Sequence, residues 1–190
     1  MKTVYRAAAE PARDRGRAPD VHSRGKWRRI LRRAMIATGI ALTTSAAVAG
    51  DAAGTVTYNP KSGALVVTIK HAYLVTGPDF VSRKTIRRVV LSVADVGAKL
   101  AACETMSCSD GGIAEGMTLD FDGGPRINYW FVGNRQLVQY SGTADPASLK
   151  LTADTGTRIA GKWELDASGA GGPRVQIEFD APLVKEITKL

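Results

Sequence analysis

From residue 50 onward, hydrophobic and polar residues alternate in short runs that are separated by Gly, Pro, Asn and Asp. Alternation with a period of two is typical of β-strands that bury one face, and the interruptions are typical of turns. The runs cover residues 55–58, 65–75, 85–94, 117–121, 127–132, 135–140, 149–151, 159–165 and 175–179. They predict one all-β domain over residues 50–190, an antiparallel β-sandwich or small flattened barrel of about eight or nine strands.

Two local signals refine this pattern. Gly133-Asn134 stands between two strand-like runs and predicts a two-residue hairpin loop, because both residue types accept a positive φ. At the C-terminus, Pro182 suits the first turn of a helix, and Leu183, Ile187 and Leu190 recur at helical spacing. Residues 182–190 are therefore expected to form a short helical turn.

The first 49 residues have a different character and indicate export. An uncharged, largely apolar run over 34–49 follows the basic stretch KWRRILRR and ends in the cleavage-site pattern Ala47-Val48-Ala49. This run is shorter than the roughly 20 apolar residues that a membrane-spanning helix needs. Residues 1–49 are therefore expected to be a basic region plus a signal peptide cleaved after Ala49, which leaves no stable membrane anchor. General or twin-arginine export, and a translation start within the basic region, are all compatible with the pattern.

The net charge of +8 belongs to the same segment. The first 49 residues hold eleven basic and three acidic residues, whereas residues 50–190 hold fifteen of each. Because phosphate binding requires an excess of Lys and Arg on the folded part, no nucleic-acid partner is expected.

Cys103 and Cys108 are the two cysteines of the chain. An even number of cysteines in an exported chain predicts a disulfide, and this one would pin a local loop. A redox pair or half of a metal site is less consistent with the four-residue spacing. The expected compartment is oxidising, either the periplasm or the exterior.

Few residues of the predicted domain could carry catalysis. His71 is its only histidine and stands on the apolar face of its run with Val67 and Ile69, where a structural role is expected. Asp120 and Asp122 share one face of a strand before a glycine turn and are weak metal candidates, because the other ligands of a calcium loop are missing. No catalytic residue, metal or cofactor is therefore predicted.

Two groups of residues are candidate binding determinants. One is the basic cluster of Arg83, Lys84, Arg87 and Arg88, which suits an acidic partner or an envelope polymer but is also typical of a solvated edge. The other is Trp130, which alternation places on the face opposite Tyr129 and Phe131. There it joins two polar residues, Arg126 and Asn128.

Three stretches, Lys70–Tyr73, Val89–Ser92 and Gln176–Ala181, resemble segments of uncharacterised secreted β-rich domains of Gram-negative bacteria. The resemblance implies an all-β fold and an envelope location, and it implies no function.

The sequence as a whole predicts an exported, soluble, non-enzymatic binding or accessory protein of the bacterial envelope. Its partner would be another protein or an envelope polymer, and an inhibitor-like or immunity-like role fits this description. Two alternatives remain open: an envelope hydrolase that uses His71 or paired carboxylates, and a small-molecule or lipid carrier with a cavity inside a β-barrel. The oligomeric state is not predicted.

Overall fold

The computed structural model describes residues 50–61, 63–135 and 137–190, so the predicted signal peptide lies outside the described residues. Within these ranges the chain forms nine strands, two short α-helices and two 3₁₀ turns. In chain order they are β1 Gly50–Tyr58, β2 Leu65–Pro78, β3 Thr85–Ser92, α1 Gly97–Ala101, α2 Met106–Gly111, β4 Gly116–Phe121, β5 Ile127–Gly133, β6 Val138–Ala144, a 3₁₀ turn Pro146–Ser148, β7 Leu149–Asp154, β8 Arg158–Asp166, a 3₁₀ turn Ser168–Ala170 and β9 Arg174–Glu186.

The nine strands form one sheet in the order β6-β5-β4-β3-β2-β1-β9-β8-β7, so β6 and β7 are its two edges. Neighbours in this order are antiparallel, and the sheet curls into a half-barrel. The prediction of an all-β fold is therefore confirmed, but the architecture is a single curled sheet and not the predicted β-sandwich or closed flattened barrel.

Packed side chains fill the inner face of the curl. The alternating apolar residues of most strands meet there in one cluster, in which Trp163 of β8 and Phe131 of β5 are fully buried. The Tyr129 and Trp163 rings meet edge to face with their centroids 5.6 Å apart, which joins β5 to β8 across the interior. The Tyr58 ring of β1 packs at a tilt against the rings of Phe131 and Tyr140. Aromatic contacts thus hold the two halves of the sheet together.

A second apolar cluster lies on the outer face of β2 and β3. Residues 96–113 cross this face and include both α-helices; we call them the helical cover. They bury Val96, Leu100 and Ile113 against Tyr73, Val75 and Val90 of the sheet. The Cys103–Cys108 disulfide links the end of α1 to α2, with the sulfur atoms 2.02 Å apart. The cover therefore shields one part of the outer face from water.

Tyr73 fixes the start of the helical cover. Its side chain is fully buried, and its hydroxyl donates a hydrogen bond to Oδ1 of Asp95 at 2.6 Å. The same hydroxyl accepts a hydrogen bond from the backbone N–H of Val96, and Asp95 Oδ1 also accepts one from the N–H of Gly97. Burial, together with the hydrogen bond to Asp95, raises the pKa of Tyr73 to about 12.

The C-terminal segment is a strand, so the predicted helical turn at 182–190 is wrong. β9 continues to Glu186, and its last residues pair in parallel with Leu74, Val75 and Thr76 of β2. The N–H of Ile187 then donates to the carbonyl of Thr76, and Ile187 is buried in the second cluster. The reason is the extent of β1, which lies between β2 and β9 in the sheet. β1 begins at Gly50, opposite Ala72, so the residues of β2 after Ala72 can pair directly with β9.

The β5–β6 hairpin is present, but its predicted two-residue loop is wrong. Gly133 belongs to β5 and pairs with Val138, so residues 134–137 form the loop and β6 begins at Val138 rather than at 135. Positive φ values occur at Asn134 and Arg135. A Cβ on Gly133 would lie 2.4 Å from Leu65 Cδ2, so this glycine allows a close approach of side chains rather than a turn.

In the part of the chain that the structure describes, no helix has the length and apolar character required to cross a membrane.

Raising the pH above 10 is expected to destabilise the protein. An unfolded Tyr73 loses its proton near pH 10, whereas the folded protein keeps it until about pH 12. The stability that this group provides is therefore complete below pH 10 and falls by about 3 kcal/mol as the pH rises to 12. Denaturant unfolding between pH 8 and 12 measures this loss.

The matched variant is Tyr73→Phe. Burial also raises the pKa of Tyr129 to about 12, so the variant is expected to keep the Tyr129 contribution and to show a smaller alkaline loss. An equal loss in the wild type and in Tyr73→Phe would contradict this assignment.

Candidate functional site

The predicted basic cluster is not one surface, because consecutive residues of a strand face opposite sides of the sheet. Arg88 lies on the outer face of β3, below the helical cover, and Arg87 lies on the inner face. Arg83 and Lys84 lie in the turn before β3 and are exposed. Arg87 and Arg88 form ion pairs within the protein, so only the turn presents its cationic groups fully to solvent.

Arg88 is a buried cation with several partners. Its guanidinium donates Nε and Nη2 to the two carboxylate oxygens of Asp120, at 2.6 and 2.7 Å. Its Nη1 donates to Oδ1 of Asp110, to Oγ of Ser109 and to the carbonyl of Met106. Burial alone lowers the pKa of Arg88, but the hydrogen bonds and charges of Asp120 and Asp110 raise it above the ordinary value, so the group stays charged. Arg88 therefore ties α2 to β3 and β4.

Arg87 makes the corresponding connection on the inner face. It forms a bidentate ion pair with Asp122, next to β4, and a second ion pair with Asp154 at the end of β7. Because β3 and β7 are far apart in the sheet order, this contact closes one end of the curl. The hydrogen bonds that Arg87 donates to the Asp122 carboxylate raise the pKa of Arg87. Arg87 thus joins the two halves of the sheet.

Asp120 and Asp122 do not come together as a metal site. Asp122 follows the last residue of β4, and its φ of 69° turns its side chain away from the face that Asp120 occupies. Each carboxylate pairs with a different arginine, Asp120 with Arg88 and Asp122 with Arg87. The expectation that they share one face is therefore wrong. Among residues 50–190 that the structure describes, no group of three potential metal ligands occurs.

His71 lies on a different face from the one that alternation predicts. Val67 and Ile69 pack in the inner cluster, but so do Ala72 and Leu74, because the strand changes phase beside an irregularity in its pairing with β1. His71 is half-buried on the outer face, and its ring stacks on Tyr73 with 6.4 Å between centroids. It contributes to the surroundings of Tyr73 and Asp95 at the start of the cover.

The turn between β2 and β3, residues 79–84, presents apolar side chains to solvent; we call it the hairpin tip. Phe80 and Val81 are 71 % and 88 % exposed. Asp79 holds the turn, because its carboxylate accepts from the N–H of Ser82 and its carbonyl accepts from the N–H of Arg83. The hydrogen bonds that the Asp79 carboxylate accepts from the side chain and backbone of Ser82 lower its pKa. The guanidinium of Arg83 lies over the Phe80 ring, 4.9 Å from its centroid.

The predicted group around Trp130 does form a surface on the outer face of β5 and β6. Trp130 is half-buried, while Arg126 and Asn128 are exposed beside it. Ser141 and Thr143 of β6 complete this surface, because they pair with Trp130 and Asn128. Arg126 donates from Nε to Oγ1 of Thr143 at 2.9 Å. We call these five residues the Trp130 patch.

All residues of the Trp130 patch except Arg126 line an open depression of about 380 Å³ that extends to Asp120. A second depression of about 330 Å³ runs from Asp120 and Asn128 to Val81 and Ser82 of the hairpin tip. Asp120 and Asn128 line both depressions, so the two are adjacent, and we call them together the groove. Arg83 and Lys84 follow Ser82, which lines the second depression. Arg126 donates to Thr143, which lines the first, so these cations flank the groove.

The charged groups in and beside this groove differ in whether they form salt bridges. Asp120 is paired with Arg88, which also pairs with Asp110, and the Asp79 carboxylate accepts a hydrogen bond within its own turn. Arg83, Lys84 and Arg126 form no salt bridge among the residues that the structure describes. Three cations outside salt bridges thus flank the groove, against one such carboxylate in its lining, that of Asp79.

Replacing Arg88 is expected to be severely destabilising. Arg88→Ala leaves two aspartates and α2 without their shared cation, and breaking a buried ion pair costs about 3–5 kcal/mol. Denaturant unfolding measures this cost. Arg158→Ala is the control, because its ion pair with Asp180 is exposed and a small change is expected. Equal losses for the two variants would contradict the structural role of Arg88.

No protein-family model, curated protein or solved structure matches the chain. The resemblance of residues 70–73, 89–92 and 176–181 to secreted β-rich domains therefore stays a prediction. The groove of this fold and its charges are the basis for a functional proposal.

Proposed function

We propose that this protein is an exported, non-enzymatic binding protein of the bacterial envelope that holds an acidic protein or an anionic envelope polymer in the groove between the Trp130 patch and the hairpin tip. The observation that carries the proposal is the position of Trp130. Its indole lies half-buried in an open depression lined by polar residues, and Arg126, a cation outside salt bridges, is hydrogen-bonded to Thr143 of that lining.

The composition of the Trp130 patch supports binding. Tryptophan and arginine are enriched among the residues that dominate binding energies, because they combine a large contact area with directional hydrogen bonds. The Trp130 indole offers a flat apolar surface, and Arg126 and Asn128 supply donors for carboxylate, phosphate or hydroxyl oxygens. Partial burial fixes the indole in advance, which lowers the entropic cost of binding.

The charges of the groove favour an anionic partner. Arg126 is hydrogen-bonded to Thr143, which lines the first depression, and Arg83 and Lys84 follow Ser82, which lines the second. Charges of one sign in a groove steer an oppositely charged partner toward it, and this attraction weakens as salt is added. Phe80 and Val81 of the same hairpin tip add apolar contact.

The location in the proposal rests on two observations. The Cys103–Cys108 disulfide indicates an oxidising, non-cytoplasmic compartment. The predicted signal peptide agrees with this and extends the proposal to the periplasm or the cell exterior.

Truncating the indole is expected to abolish most of the binding. The Trp130→Ala variant should bind purified anionic envelope polymer, or solubilised envelope proteins, about 30-fold more weakly, because loss of a central tryptophan costs about 2 kcal/mol or more. Arg126→Glu should weaken binding further at low salt and less at high salt. Co-sedimentation or surface binding with the purified protein measures both effects.

The control is Val66→Ser, which removes an exposed apolar residue of β2 outside the groove. It should leave binding unchanged. If the wild type retains neither the polymer nor any envelope protein, or if Val66→Ser weakens binding as much as Trp130→Ala does, the proposal is wrong.

A further inference from the structure

β6 is an edge strand whose outer side has no neighbour in the sheet. Within the described part of the chain, no backbone hydrogen bond joins β6 to β7 or to another segment besides β5. A row of free N–H and C=O groups on such an edge is a template for another strand.

The two edges of the sheet differ in how they are protected. β7 carries Lys150 and Asp154, and its register with β8 shifts between Leu151 and Ala153. Charges and bulges are the usual devices that prevent pairing at an edge. The sequence of β6, VQYSGTA, contains no charge and no proline, and the strand pairs with β5 over seven consecutive residues without a shift. The charge that contacts it is Arg126, which donates to the hydroxyl and the carbonyl of Thr143. The edge at β6 is therefore open to pairing.

The sequence of β6 is complementary to itself around Ser141. If two copies of β6 pair in antiparallel orientation with Ser141 opposite Ser141, Tyr140 faces Gly142 and Gln139 faces Thr143. Val138 then faces Ala144. Val138 and Ala144 are both apolar, and Gln139 and Thr143 are both polar. The Tyr140 ring lies beside Gly142, and an aromatic residue beside a glycine fixes the register at sheet edges. No charge opposes a like charge.

We propose that the protein forms a two-fold symmetric dimer in which two copies pair antiparallel through β6, with the axis at Ser141. The contact is isologous, as a two-fold axis requires, and joins the two curled sheets edge to edge. Its small area makes the dimer one of moderate affinity.

The dimer extends the surface that carries the Trp130 patch. Trp130 pairs with Ser141 in β5–β6, so the two indoles lie three strand spacings apart, about 14 Å, on the same outer face. Two patches then face the same side. The dimer does not depend on the proposed function, since its test involves no ligand.

Cysteine cross-linking tests the position of the axis. Antiparallel partners lie about 4.5–5.5 Å apart at Cα, within the range of a disulfide. The Ser141→Cys variant is therefore expected to form a covalent dimer on mild oxidation. Thr152→Cys, an exposed position on β7, is the matched control and should stay monomeric. No cross-link at 141, or equal cross-linking at both positions, overturns the proposal.

Charge variants test the register. Gln139→Lys combined with Thr143→Lys places lysines opposite each other twice and should weaken the dimer about tenfold or more in sedimentation equilibrium. Gln139→Lys combined with Thr143→Glu places opposite charges together and should retain it. A wild type that is monomeric at hundreds of micromolar, or equal association of the two double variants, overturns the proposal.

Discussion

The structure depends on the opposite directions of two consecutive guanidinium groups of β3. Arg88 points outward and binds Asp120 together with three groups of residues 106–110, so it holds the helical cover against the sheet. Arg87 points inward and links the β4 end to Asp154 of β7, so it holds the curl closed. Because side chains alternate along a strand, Arg87 and Arg88 have different structural roles on opposite faces of the sheet. Each guanidinium is paired with carboxylates on its own face.

This division also determines which surface stays open. The cover shields β2 and β3, and Arg88 pairs with Asp120 beside the outer face of β5 and β6. Trp130 and the hairpin tip then line two adjacent depressions, which Arg83, Lys84 and Arg126 flank. The helical cover does not extend over the proposed binding surface or the open edge of β6.

Alternation alone is sufficient to predict that nine strands exist and that Tyr129 and Trp130 lie on opposite faces of β5. Tyr129 packs in the inner cluster, and Trp130 lies on the outer face. Alternation is not sufficient for β2, where the irregular pairing with β1 moves His71 to the other face. The cover has a signal in the sequence, because Val96, Leu100 and Cys103 recur at helical spacing and are all buried.

Other features depend on contacts that are distant in sequence. The ion pair of Arg88 with Asp110 and Asp120 joins three segments, so a row of basic residues in the sequence could not reveal that two of them are internal. Ser141 and Thr143 enter the groove only through the register of β6 with β5. The strand at 183–186 likewise depends on β2 and β9 meeting beyond the start of β1 at Gly50, which spacing along the C-terminal segment does not show.

Amide hydrogen exchange in an Arg88→Lys variant tests the role of this guanidinium most directly. Lysine keeps the positive charge but cannot span Asp120 and α2 together. The account predicts that amides of residues 97–111 exchange much faster than in the wild type while those of β8 and β9 keep their protection, because the cover opens locally. Unchanged protection of residues 97–111, or an equal loss throughout the sheet, would contradict it.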